Sequence, residues 1–175
     1  MTGVVESRKE DTTLKRKFLR QNLKIGSWNV RTLRQTGKLK ELCDEASRYR
    51  LDIVGVQKVR WGGQGKLRTS GGMSFIYSGR VTEEDGSGVG LLLSPAAARA
   101  LESCECISDR LLTARVNCGI IRMTIVVYYA PTDVAEAEEK DQFYQSFEDV
   151  LRRAHAHDLQ VVDRKSTRLN SSHRL

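Results

Sequence analysis

Apolar positions along the chain follow two periods, and the switch between them marks out the elements. Leu23 to Val30 (LKIGSWNV) opens as an alternation of apolar and polar residues and predicts a strand. From Thr36 to Arg50 the period becomes helical. Thr36 is the expected cap, and Leu39, Leu42, Cys43, Ala46 and Tyr49 form one stripe. Leu51 to Gln57 (LDIVGVQ) is almost continuously apolar, which suits a strand covered on both faces. Gly62 to Gly72 reads as a glycine-rich loop, followed by a short strand over Met73 to Tyr77.

A turn over Glu83 to Gly88 leads into a second buried strand, Val89 to Ser94. Pro95 to Leu101 predicts a short alanine-rich helix with proline at its start. Leu112, Ala114 and Val116 alternate with polar residues, Asn117-Cys118-Gly119 turns the chain, and Ile121, Met123, Ile125 and Val127 alternate on the way back. This is a hairpin pattern. Glu136 to His155 predicts a helix with Phe143, Phe147, Val150 and Leu151 inward, and Leu159 to Val162 begins another strand. Strands interleaved with helices in this order imply an α/β sandwich with a mixed sheet.

Three segments follow from composition: a mobile basic arm over residues 1–22, a folded domain over 23–162, and an aperiodic tail over 163–175 expected to be disordered. No stretch is apolar enough to cross a membrane, and no secretory signal is visible. Four unpaired-looking cysteines point to reduced thiols inside the cell. The net charge of +7 invites a nucleic-acid partner. That charge is unevenly placed: residues 31–80 hold 11 basic and 4 acidic side chains, whereas residues 81–151 hold 5 and 13.

Positions 29, 58 and 129 and the residues after Val162 all fall at predicted strand ends, where α/β sheets collect their reactive groups. LKIGSWNVRTL (Leu23 to Leu33) and DIVGVQKVRWGG (Asp52 to Gly63) resemble the opening of the endonuclease/exonuclease/phosphatase superfamily. SGVGLLLS, SDRLLTARV and VVYYAPTD further resemble the endonuclease domain of RTE-type LINE retrotransposons and the craniofacial development protein 2-like group. The resemblance spans roughly residues 22–162 with its motifs in order. It implies a truncated portion of a four-layer α/β sandwich, two mixed sheets flanked by helices. It also implies a Mg²⁺-dependent DNA endonuclease ancestry, related to apurinic endonucleases.

By that resemblance Asn29 organises the metal and phosphate site and Tyr129 lines the scissile phosphate, with Pro131 and Thr132 shaping the turn. Lys58 departs from the pattern, because it stands where the family has its metal-binding Glu. An ammonium has no lone pair for Mg²⁺ and repels it. The family's Gly-Asp-x-Asn motif is absent after Val162. Asp163 comes at nearly the right place but lacks its neighbours, and His173 is not the family's Ser-Asp-His. Productive Mg²⁺ binding is therefore not expected, and the chain reads as inactive.

Arg60, Trp61, Lys66 and Arg68 are expected in a loop facing DNA, where arginine and an aromatic ring suit backbone contact and stacking. Their other reading is a solvated charged loop. Weaker patterns carry little: GGQGK lacks a phosphate loop's first Gly and its Ser or Thr. His155 and His157 point to different helix faces, and Cys104 and Cys106 have no further ligands for zinc. The functional expectation is an inactive nuclease relative, with a nucleic-acid-binding remnant or a superfamily phosphatase as alternatives. Its location is intracellular, nuclear if it acts on DNA and otherwise cytoplasmic.

Overall fold

A computed structural model describes residues 23–80, 87–119 and 121–163. The basic arm 1–22, the turn residues 83–86 and the tail from 164 lie outside the described residues. The elements run β1 (Ile25–Asn29), α1 (Lys38–Arg48), β2 (Ile53–Gln57), β3 (Gly63–Arg68), β4 (Ser74–Gly79) and β5 (Val89–Leu93). They continue with α2 (Pro95–Ala100), β6 (Leu101–Ser108), β7 (Leu111–Asn117), β8 (Arg122–Tyr128), α3 (Ala137–Arg153) and β9 (Leu159–Asp163).

Two mixed sheets result, one ordered β1-β2-β5-β4-β3 and the other β6-β7-β8-β9. β1 and β2 are parallel, as are β8 and β9, and the remaining pairs are antiparallel. Every residue of β2 and β5 is buried, as their continuous apolar runs require. Alternate side chains serve different layers. Ile53, Leu91 and Leu93 meet Leu112, Ala114, Ile125 and Val127 between the two sheets. Val54, Val56 and Leu92 face the opposite way, onto Leu42, Cys43 and Ala46 of α1. On the far side, Leu111, Val126 and Tyr128 receive Phe143 and Val150 of α3. Helix, sheet, sheet and helix therefore stack as a four-layer α/β sandwich.

Three readings of the pattern need correction. Residues 63–68, expected as loop, form the edge strand β3. Its inward positions are Gly63, Gly65 and Leu67, and a Cβ at Gly65 would sit 2.7 Å from the Tyr77 hydroxyl, so glycine makes room for that ring. No hydrophobic alternation announces such a strand. β6 was likewise unmarked, being polar (LESCECIS) and irregular, with register shifts at both ends of its pairing to β7. Finally, α1 starts at Lys38 after Gly37, whose φ of 90° supplies the turn, and Thr36 is not the cap. Tyr49 ends that helix half exposed and rests against Trp28.

The hairpin pattern holds: β7 and β8 pair from Leu111–Tyr128 to Asn117–Arg122, and the Asn117 Oδ1 accepts from the Gly119 N–H. No helix among the described residues is long and apolar enough to cross a membrane.

The approach to β9 is anchored by charge. Asp158 accepts from Arg115 Nε and Nη2 at 2.8 and 3.0 Å and from Thr124 Oγ1 at 3.0 Å, tying β9 to β7 and β8. The Arg115 hydrogen bonds hold the Asp158 carboxyl below the usual carboxylate range. A carboxyl depressed in the folded state stabilises at neutral pH, and that contribution disappears as pH falls below the ordinary aspartate value of about 4. Urea midpoints measured from pH 7 to pH 2 should therefore show Asp158→Asn less stable than wild type at neutral pH. The two curves should converge in acid.

Candidate phosphate-facing site at the strand ends

The carboxyl ends of both parallel pairs gather at one end of the sandwich. Asn29 is level with Gln57 across β1 and β2, and Val127 is level with Asp163 across β8 and β9. The sheets are joined there by Ser78 Oγ, which donates to the Ser108 carbonyl at 2.8 Å. Beyond the strands, the Val30 N–H donates to the Gln57 carbonyl and the Leu33 N–H to the Val59 carbonyl, so the loops after β1 and β2 run side by side. On the other side, the Val59 and Arg60 N–H groups donate to Gly88 and Ser87.

Lys58 is held between these two sets of bonds with φ of 62°, and Arg31 and Arg60 have φ of 62° and 59°. Side chains rarely adopt this left-handed conformation, which costs about 1–2 kcal/mol per residue. Three cationic residues are thus kept in an unfavourable backbone geometry on the adjacent loops after β1 and β2. The constraint aims Lys58 across to the second sheet, where its Nζ lies 5.5 Å from the centre of the Tyr129 ring.

Tyr129 is buried, and its N–H donates to the Arg110 carbonyl. The guanidinium carbon of Arg110 lies 5.6 Å from the same ring. Arg110 Nε and Nη2 engage Glu139 Oε1 in the first turn of α3, at 3.1 and 3.0 Å. Its Nη1 is buried with no hydrogen-bond partner among the described residues. A buried guanidinium donor left unpaired is costly and marks a place where an acceptor is missing.

Asn29 accepts from the Arg31 N–H at 3.4 Å and lines a groove of about 720 Å³ between the end of β1 and α1, walled by Trp28 and Tyr49. Two described carboxylates nearby already have partners. Asp109 accepts from Ser87 Oγ at 2.6 Å and faces Arg80, and Glu139 holds Arg110. Among the described residues no group of three or more His, Cys, Asp or Glu side chains could hold a metal. An ammonium and a guanidinium approach one phenol ring at the strand ends, and Mg²⁺ needs hard oxygen ligands, usually with carboxylates. The described side chains do not fit that ion. Cysteine offers no alternative chemistry, because burial pushes the Cys104 thiol up to about 12.

The residues expected in a DNA-facing loop are dispersed. Arg60 stays at the rim, its carbonyl accepting from Arg34 Nε at 2.8 Å. Trp61 packs edge-on to Phe75 and Tyr77, and its indole N–H donates to the Leu33 carbonyl, so it serves the core. Arg68 aligns with Ser74, Leu93 and Ile53, at the opposite end of the sheet from Asn29, and Lys66 lies midway. Arg110 and Arg31 were not singled out. For Arg110 the available signal was a cation directly before the buried run Leu111–Leu112; for Arg31 there was none beyond its position after a strand.

No family model matches the chain. It is 31% identical over 127 residues to Craniofacial development protein 2 of Bos taurus, covering 73% of this chain and 21% of that protein. Among solved structures, D. rerio TDP2 complexed with single strand DNA product superposes with a TM-score of 0.55. The two are 17% identical, and the match covers 80% of this chain and 58% of that one. The endonuclease domain of TRAS1, a telomere-specific non-LTR retrotransposon, superposes with a TM-score of 0.52 at 15% identity, covering 83% and 61%. The chain has the endonuclease/exonuclease/phosphatase fold. It spans about a fifth of the length of the curated relative and about three fifths of these solved structures.

Within this fold, Gly88 governs the cleft. Its φ is 119°, and a Cβ there would meet the Arg60 nitrogen at 2.9 Å and the Val59 Cβ at 3.3 Å. Gly88→Ala should displace the Lys58–Arg60 segment and cost about 1–3 kcal/mol, read as a lower urea midpoint.

Proposed function

We propose that this chain derives from the endonuclease of an RTE-type retroelement and acts as a nucleic-acid-binding domain without Mg²⁺-dependent hydrolysis. One observation carries the reading: Lys58 directly follows β2 at the carboxyl end of that strand, and its Nζ lies 5.5 Å from the Tyr129 ring centre. Phosphodiester hydrolysis of this kind needs a divalent cation to neutralise developing charge and to activate water. An ammonium can attract a phosphate as a point charge, but it coordinates no water and so cannot activate one.

Arg31 and Arg60 extend the positive rim on the loops after β1 and β2. Such a rim binds through the nucleic-acid backbone, releases counterions and is insensitive to sequence. The likeness to a DNA-bound TDP2 structure and to the TRAS1 endonuclease domain supports nucleic acid as the partner class. A protein working this way on DNA would act in the nucleus.

Supercoiled plasmid incubated with the full chain and Mg²⁺ should remain un-nicked. Nicking that EDTA and Asn29→Ala both abolish would sink the proposal. Binding to a fluorescent oligonucleotide in EDTA should weaken as salt rises. Arg60→Ala should lower the log–log salt slope by about one, whereas Arg68→Ala, at the far end of the sheet, should leave it unchanged.

A further inference from the structure

The cleft departs from a metal site in a particular way: it holds two cations where a carboxylate and a metal ion would be needed. Lys58 and Arg110 reach the Tyr129 ring from different sheets, at 5.5 and 5.6 Å from its centre. Lys58 has no ion pair among the described residues and is half-buried. Arg110 is 13% exposed and meets a single carboxylate, Glu139, through Nε and Nη2. That leaves Nη1 buried and without an acceptor. Among the described side chains, two positive charges beside the Tyr129 ring meet one negative.

We infer that Lys58 and Arg110 form a metal-independent clamp for one phosphate group beside Tyr129. The inference deepens the nucleic-acid reading and rests on it for the source of that phosphate. The ammonium supplies the charge that a divalent cation would otherwise bring. The planar guanidinium supplies a directed donor, Nη1, whose hydrogen bond is unmade. Phosphate suits both partners, because its several oxygens let one group accept from a point charge and from a guanidinium edge together. Glu139 has a second part in this arrangement: it orients Arg110 and competes with the incoming anion for it.

Sodium phosphate titrated into the full chain in EDTA, followed by two-dimensional NMR that includes the Arg110 Nε–H, tests the clamp. One phosphate should bind with no gain from added Mg²⁺. Lys58→Met, which keeps the apolar stem, and Arg110→Lys should each weaken it about tenfold. Glu139→Gln should strengthen it about threefold, a gain that a purely structural Arg110–Glu139 pair does not give. If Arg110→Lys fails to fold, Lys58→Met and Glu139→Gln decide the matter. Phosphate binding that requires Mg²⁺, or that neither Lys58→Met nor Glu139→Gln alters, overturns the clamp. Oligonucleotide binding in the same buffer separates the two readings. Phosphate bound through the clamp without oligonucleotide binding supports the clamp and removes the nucleic-acid role. Oligonucleotide binding that survives Lys58→Met, with phosphate unaffected, overturns the clamp alone.

Discussion

The structure depends on the need to cover β2 and β5 on both faces. These neighbouring strands are apolar at nearly every position, so neither face can be left to water. One face demands a second sheet and the other demands a helix, which is how a helix–sheet–sheet–helix stack arises from a short chain. The second sheet meets its own requirement through Tyr128 and Val126 against Phe143 and Val150 of α3. Packing of the two sheets also sets the site, because it brings the end of β2 against the residue that follows β8. Without that interface Lys58 and Tyr129 have no reason to meet.

The chemistry at those strand ends turns on the sign of one charge. A carboxylate at the end of β2 would draw a cation into the cleft and share it with the side chains around it. An ammonium there repels cations and attracts anions, and Arg110 opposite adds to the same field. The core beneath Lys58 is built from apolar side chains on both faces of β2. A fold can therefore keep its architecture while the reactivity of its site changes, because function resides in the site and stability in the layers.

Much of the fold was legible in the chain. The buried strands β2 and β5, the β7–β8 hairpin and the inward stripe of α3 all announce themselves by period. β3 and β6 did not, because one uses glycine on its inner face and the other is polar and irregularly paired. The same error misplaced the basic residues. Once 63–68 is an edge strand, Arg68 belongs to the opposite end of the sheet, and Trp61 is claimed by Phe75, Tyr77 and the Leu33 carbonyl. A run of cations in sequence is a patch only if the backbone does not turn it into a strand that points them along the sheet.

By itself, then, the amino-acid sequence determined the layers and the identity of the residues at the strand ends. Both follow from local rules: hydrophobic period decides which faces are buried, and a strand's last residue sits where its carboxyl end opens. Which of those residues face one another was decided by tertiary structure alone. Arg110 lies 52 positions after Lys58 in the chain, and nothing in either segment records that both approach the ring of Tyr129. Only the packing of one sheet on the other brings both cations to that ring, with Arg110 Nη1 left without a partner among the described residues.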